Sequence, residues 1–168
     1  MIKITEEILE VILSILALVF GTTEVNDIDL VKYEEKELMT LYIEKINVNN
    51  KIYDKNSLLN DIDINIMLLR ESDYPDEDKG TVLLGGHSGV GTKAYLKRMD
   101  EMSIGDEIKL YYKDKEYVYV VDNISKDNKD GKIRVDYGLK DYNRLIIYTC
   151  YPNDKTSYLV LSANMIFT

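Results

Sequence analysis

Glu107-Ile108-Lys109-Leu110-Tyr111-Tyr112 and, after Lys113-Asp114-Lys115, Glu116-Tyr117-Val118-Tyr119-Val120-Val121 are two runs rich in β-branched and aromatic residues. A short polar connection between two such runs is the pattern of a β-hairpin. Working outward, Thr81-Val82-Leu83-Leu84 and Leu41-Tyr42-Ile43-Glu44-Lys45-Ile46 have the same character. Toward the C-terminus, Leu145-Ile146-Ile147-Tyr148-Thr149 runs without a polar break into Cys150, and Tyr158-Leu159-Val160-Leu161-Ser162-Ala163 follows the turn-forming Pro152-Asn153-Asp154. Continuous apolar runs of this length read as strands buried on both faces. Evenly spaced short strands predict a mainly β fold, a closed barrel or a sandwich of about eight strands, of which the eight-stranded barrel is preferred because closure removes exposed edges. Tyr95, Leu96, Met99 and Met102 recur at helical spacing and predict one short helix over residues 92–102. The 14 tyrosines against 2 phenylalanines and no tryptophan suit strands with one wet face.

The chain of 168 residues is long enough for one domain that buries roughly 70% of the surface its unfolded form exposes. Its net charge of −9 opposes binding to phosphate backbones, so nucleic acid is excluded as a partner. One cysteine and one histidine, Cys150 and His87, leave no intramolecular disulfide and too few soft ligands for a structural zinc. Asp73, Asp76, Glu77 and Asp78 cluster ahead of Lys79-Gly80, but their order is not that of a calcium loop and reads as a solvated turn. No cofactor and no metal is expected.

Three regions follow from composition. Residues 1–22 hold the most apolar stretch, residues 8–21, whose uninterrupted part is shorter than the ~20 residues that cross a bilayer. Helical spacing of Ile8, Val11, Ile12, Ile15, Leu16 and Val19 makes this segment either an N-terminal helix packed on the domain or a membrane anchor. Residues 23–38 are an acidic linker, and residues 39–168 form the β domain.

The chemistry lies with the lone imidazole and the lone thiol. His87 falls in Leu84-Gly85-Gly86-His87-Ser88-Gly89-Val90-Gly91, where glycines let the backbone turn and a substrate approach. Cys150 ends one predicted strand as His87 follows another, an arrangement that permits a thiol and imidazole pair for attack on a carbonyl carbon.

Gly86-His87-Ser88 after a Val-Leu-Leu strand, with Ile146-Ile147-Tyr148-Thr149-Cys150 about sixty residues on, resembles the sortases, whose signature is a histidine after a strand and a Thr-Leu-x-Thr-Cys segment. Residues 41–48 resemble their first barrel strand, and Ile104-Gly105-Asp106-Glu107-Ile108 resembles the approach to a later one, so that most of residues 39–166 is covered. The resemblance implies an eight-stranded barrel with one or two short helices and a cysteine transpeptidase of Gram-positive cell surfaces. Its reaction cleaves a sorting signal of the Leu-Pro-x-Thr-Gly type through a thioester and passes the acyl group to an amine of cell wall or pilin. Cys150 would be the nucleophile and His87 the general acid and base, with Thr149 and Ser88 shaping the substrate site. One departure stands out. Family members carry an arginine about nine residues after the cysteine as clamp and oxyanion donor, whereas here Asn153-Asp154-Lys155-Thr156-Ser157-Tyr158-Leu159 occupies that stretch and no arginine follows Arg144. Tyr158, Ser157 and Lys155 are the expected stand-ins, with Arg144 and Arg98 as remoter ones. A sortase-like domain that binds sorting peptides without ligating them is the alternative, and a hydrolase using the same pair is a third reading.

Overall fold

The computed structural model describes residues 35–130, 132, 134 and 142–167. The chain divides into two units, residues 1–34 and 35–168. The apolar segment 8–21 and the linker up to residue 34 lie outside the described residues.

Eight strands make one sheet: β1 (Met39–Ile43), β2 (Val48–Ile52), β3 (Met67–Leu68), β4 (Thr81–Gly85), β5 (Glu107–Tyr112), β6 (Lys115–Asn128), β7 (Arg144–Cys150) and β8 (Ser157–Phe167). Their order is β2-β1-β5-β6-β8-β7-β4-β3, and the sheet curls into a nearly closed barrel of the mainly β class expected. Full closure is not reached among the described residues: β2 and the two-residue β3 stand at the two ends of the order and do not pair with each other. Every neighbouring pair is antiparallel except β4 with β7, which run parallel.

The hairpin that decided the fold is present as β5 and β6, with Tyr112 opposite Lys115. Lys113 (φ 50°) and Asp114 (φ 60°) form a two-residue turn in the left-handed region, whose twist matches that of the strands it joins. Two expectations change. The first strand stops at Ile43, because a 3-10 turn over Glu44–Ile46 and Asn47 at φ 58° reverse the chain into β2. Residues 92–102 form no α-helix but successive three-residue turns, closing in a 3-10 turn at Met99–Glu101. The amide of Leu96 is committed to the carbonyl of His87 at 3.0 Å, which breaks a helical ladder at its centre. The helical spacing still marks burial, since Leu96, Met99 and Met102 all enter the core.

Alternation sorts β4, β7 and β8 onto two apolar faces. Val82, Leu84, Leu145, Ile147, Leu159 and Leu161 fill the barrel interior. Leu83, Ile146, Tyr148 and Val160 face the other way and pack with Leu69 in a second cluster. Burial on both faces is why these strands read as unbroken apolar runs, each large side chain contributing about 1.5–3 kcal/mol. Tyrosine is less wet than its composition suggested: Tyr112, Tyr117 and Tyr119 lie in the core, Tyr112 stacked on Tyr74 with ring centroids 5.9 Å apart.

Candidate active site

The site forms where β4 and β7 end together. Their parallel register puts Gly85 opposite Tyr148, and two further residues bring His87 level with Cys150. Three bonds continue the pairing beyond the strands. The Gly86 amide donates to the Tyr148 carbonyl at 3.1 Å. The Thr149 hydroxyl donates to the Gly86 carbonyl at 2.7 Å, and the Ser88 hydroxyl to the Cys150 carbonyl at 2.6 Å. Thr149 and Ser88, expected to shape the substrate site, thus tie the two strand ends together. Gly86 is required by close approach: a Cβ there would stand 2.8 Å from Cδ1 of Leu96, whose burial anchors the loop after His87. Gly91 alone in this run needs positive φ, at 137°.

Cys150 and His87 line two common hollows. One, of about 470 Å³, is otherwise walled by the loop containing Gly89, Val90 and Ala94. The other, of about 370 Å³, lies against the outer apolar cluster, with Met67, Leu69, Tyr148 and Tyr158 on its wall. The imidazole is 40% exposed and its Nε2 lies 3.1 Å from Oδ1 of Asp63. A carboxylate only accepts, so in this contact the hydrogen is carried by Nε2. Asp63, on the loop between β2 and β3, has no signal in the sequence that links it to His87.

None of the three expected stand-ins for the arginine bonds to Cys150 among the described residues. Ser157 is buried, near the Asp154 carboxylate, which Lys126 first and then Thr156 and Ser157 hold well below the usual carboxylate range. Lys155 is exposed on a third hollow of about 950 Å³ that also reaches Cys150 and Arg98. Tyr158 sits opposite Cys150 in register and packs edge-on against Tyr148, centroids 6.3 Å apart. Arg144 begins β7, at the end away from Cys150, beside Asp122 at 3.5 Å, and Arg98 is paired with Glu101 at 2.6 Å. The cation that does reach the thiol is Lys129, whose Nζ lies 3.0 Å from Sγ. It follows the end of β6, two strands from Cys150 in the sheet, so linear spacing carried no hint of it. The acidic cluster closes a turn: Asp73 accepts from the Thr81 amide, Glu77 from the Tyr74 amide, and Asp76 pairs with Lys113.

A family model described as the sortase domain matches residues 41–166. The chain belongs to the sortase family. Solved sortases share its fold. The lid mutant of Streptococcus agalactiae sortase C1 superposes with a TM-score of 0.68 at 19% identity, over 80% of this chain and 71% of that one. Sortase A from Corynebacterium diphtheriae gives 0.70 at 14% identity, over 98% and 86%. Streptococcus pneumoniae sortase C gives 0.67 at 20% identity, over 80% and 70%. Among curated proteins none matches. The chain is therefore a sortase-type cysteine transpeptidase of a family associated with the cell surface. Among the described residues no helix is long and apolar enough to cross a membrane.

Proposed function

We propose that this sortase cuts a sorting signal of the Leu-Pro-x-Thr-Gly type at its Thr-Gly bond and joins the acyl fragment to an amine of cell wall or pilin. The observation that carries this reading is the register that ends β4 and β7 side by side, with the only imidazole and the only thiol of the chain on common hollows. Cys150 attacks the carbonyl carbon, forming the carbon–sulfur bond while an electron pair moves to oxygen. Collapse breaks the carbon–nitrogen bond, and His87 gives its proton to the departing amine. The acceptor amine then attacks the thioester, His87 takes its proton, and the thiolate leaves. The hollow walled by Met67, Leu69 and Tyr148 suits an apolar residue of the sorting peptide.

Streptococcus pneumoniae sortase C, which shares this fold, is described as having pilin substrate specificity, and that supports a pilin acceptor as one arm of the test. In the same reading residues 1–22 are the anchor or packed helix, residues 23–38 the linker and residues 39–168 the catalytic barrel. The enzyme then works at a Gram-positive cell surface, associated with the membrane through residues 8–21 if they are the anchor and soluble if they are a packed helix. A binding domain without turnover is the second reading, favoured by the absence of an arginine after Arg144.

The test is product analysis by mass spectrometry after mixing the protein with sorting peptides and glycine or lysine-type amines. A ligated product that disappears in Cys150→Ala supports transpeptidation. Released acid that ignores added amine makes the protein a hydrolase. Equal, saturable binding by wild type and Cys150→Ala without product makes it a binding domain.

A further inference from the structure

The cation beside the sulfur has no counterpart in the sequence signature. Strand β8 lies between β6 and β7, with Tyr158 opposite both Asp127 and Cys150. Beyond Asn128, the last residue of β6, the Lys129 amide donates to the Thr156 carbonyl at 2.8 Å and so continues the ladder one residue further. From there the lysine side chain crosses β8. Its Nζ lies 5.1 Å from the centroid of the Tyr158 ring and 3.0 Å from Cys150 Sγ. Tyr158 in turn is braced edge-on by Tyr148, whose hydroxyl donates to the Arg134 carbonyl at 2.7 Å. A smaller residue at position 158 would leave the lysine stem without its platform.

We infer that Lys129 is a catalytic residue of this sortase, supplying from the end of β6 the positive charge that stabilises the sulfur and the oxyanion, with Tyr158 as its seat. This rests on the transpeptidase reading above. When the thiolate adds to the peptide carbonyl, the oxygen that gains the electron pair is two bonds from that sulfur, within reach of a group already in contact with it. An ammonium offers three donors, so one can stay on sulfur while another turns to oxygen. Lys129 passes no proton, and the proton for the departing amine still comes from His87.

The test compares Lys129→Met, which keeps the stem and removes the charge, with Lys129→Arg, which keeps the charge. Single-turnover acylation of Cys150 by a sorting peptide, followed by intact mass, should slow on the order of a hundredfold in Lys129→Met, the scale of a lost oxyanion donor. Lys129→Arg should recover most of the rate. Independently of any peptide, the ratio of Cys150 alkylation rates by iodoacetate and by iodoacetamide reports charge at the sulfur, since the two reagents differ chiefly in sign. That ratio should fall several-fold at low salt in Lys129→Met and hold in Lys129→Arg. Acylation of Lys129→Met at the wild-type rate overturns the catalytic role, and an unchanged alkylation ratio overturns the pairing with sulfur. A hydroxylamine-resistant acyl adduct on Lys129 would also overturn it, making the lysine an acceptor. If none of the sorting peptides acylates the wild type while the ratio still falls in Lys129→Met, the sorting-peptide reading fails and the cation beside the sulfur is upheld.

Discussion

At the end of β7, Cys150 follows five consecutive buried residues, its carbonyl held by Ser88 and its sulfur by Lys129. At the end of β4, His87 follows strand residues just as buried, but the chain beyond it, residues 89–93, is exposed, and the imidazole's partner is Asp63, whose side chain is 81% exposed. The two groups that the proposed reaction uses are thus positioned by different physics. Strand pairing fixes Cys150, whereas one exposed side-chain contact, to Asp63, orients the imidazole. An exposed contact of this kind can be broken at little cost, which suits the part proposed for His87, meeting first a departing and then an incoming amine.

The largest break in that comparison is removal of the imidazole itself. His87→Ala should lower turnover by at least ~100-fold, the usual size of general acid and base effects, with an unchanged melting curve. Unchanged turnover would remove His87 from the reaction. Next comes the bond that joins the strand ends. Thr149→Val leaves the buried Gly86 carbonyl without its side-chain donor, and thermal unfolding should show a loss of about 1–3 kcal/mol. No loss would mean that the backbone pairing alone holds the two ends together. The smallest effect is expected from Asp63→Asn, which should change kcat by less than about tenfold, in keeping with an exposed pair. A loss as deep as that of His87→Ala would make Asp63 a fixed partner of the imidazole and erase the contrast.

Legibility in the sequence followed the range of the interactions. The β5 and β6 hairpin, the apolar runs of β7 and β8 and the strand before His87 are local patterns, and each appears within a few residues of its expected place, although β6 runs on to Asn128. The resemblance carried by Gly86-His87-Ser88 and by the segment ending at Cys150 points to the family and to the two residues that the strand register brings level. What the sequence hid is partly local backbone geometry and partly contacts distant along the chain. Asn47 adopts a left-handed turn that ends β1 early, and the pairing of Leu96 with His87 turns an apparent helix into successive turns. Lys129 reaches Cys150 across an intervening strand, and Asp63 meets His87 from another loop. The expected stand-ins for the arginine lie near its own position on β8, but the charge beside the sulfur comes from the end of the neighbouring strand β6.

The most direct test of the account is to trap the acyl-enzyme. Wild-type protein mixed with a sorting peptide and no amine should gain the mass of the acyl fragment, map that mass to Cys150 and lose it on addition of amine with appearance of the ligated peptide. Peptide that binds saturably and alike to wild type and Cys150→Ala, with no covalent mass on either, would contradict it.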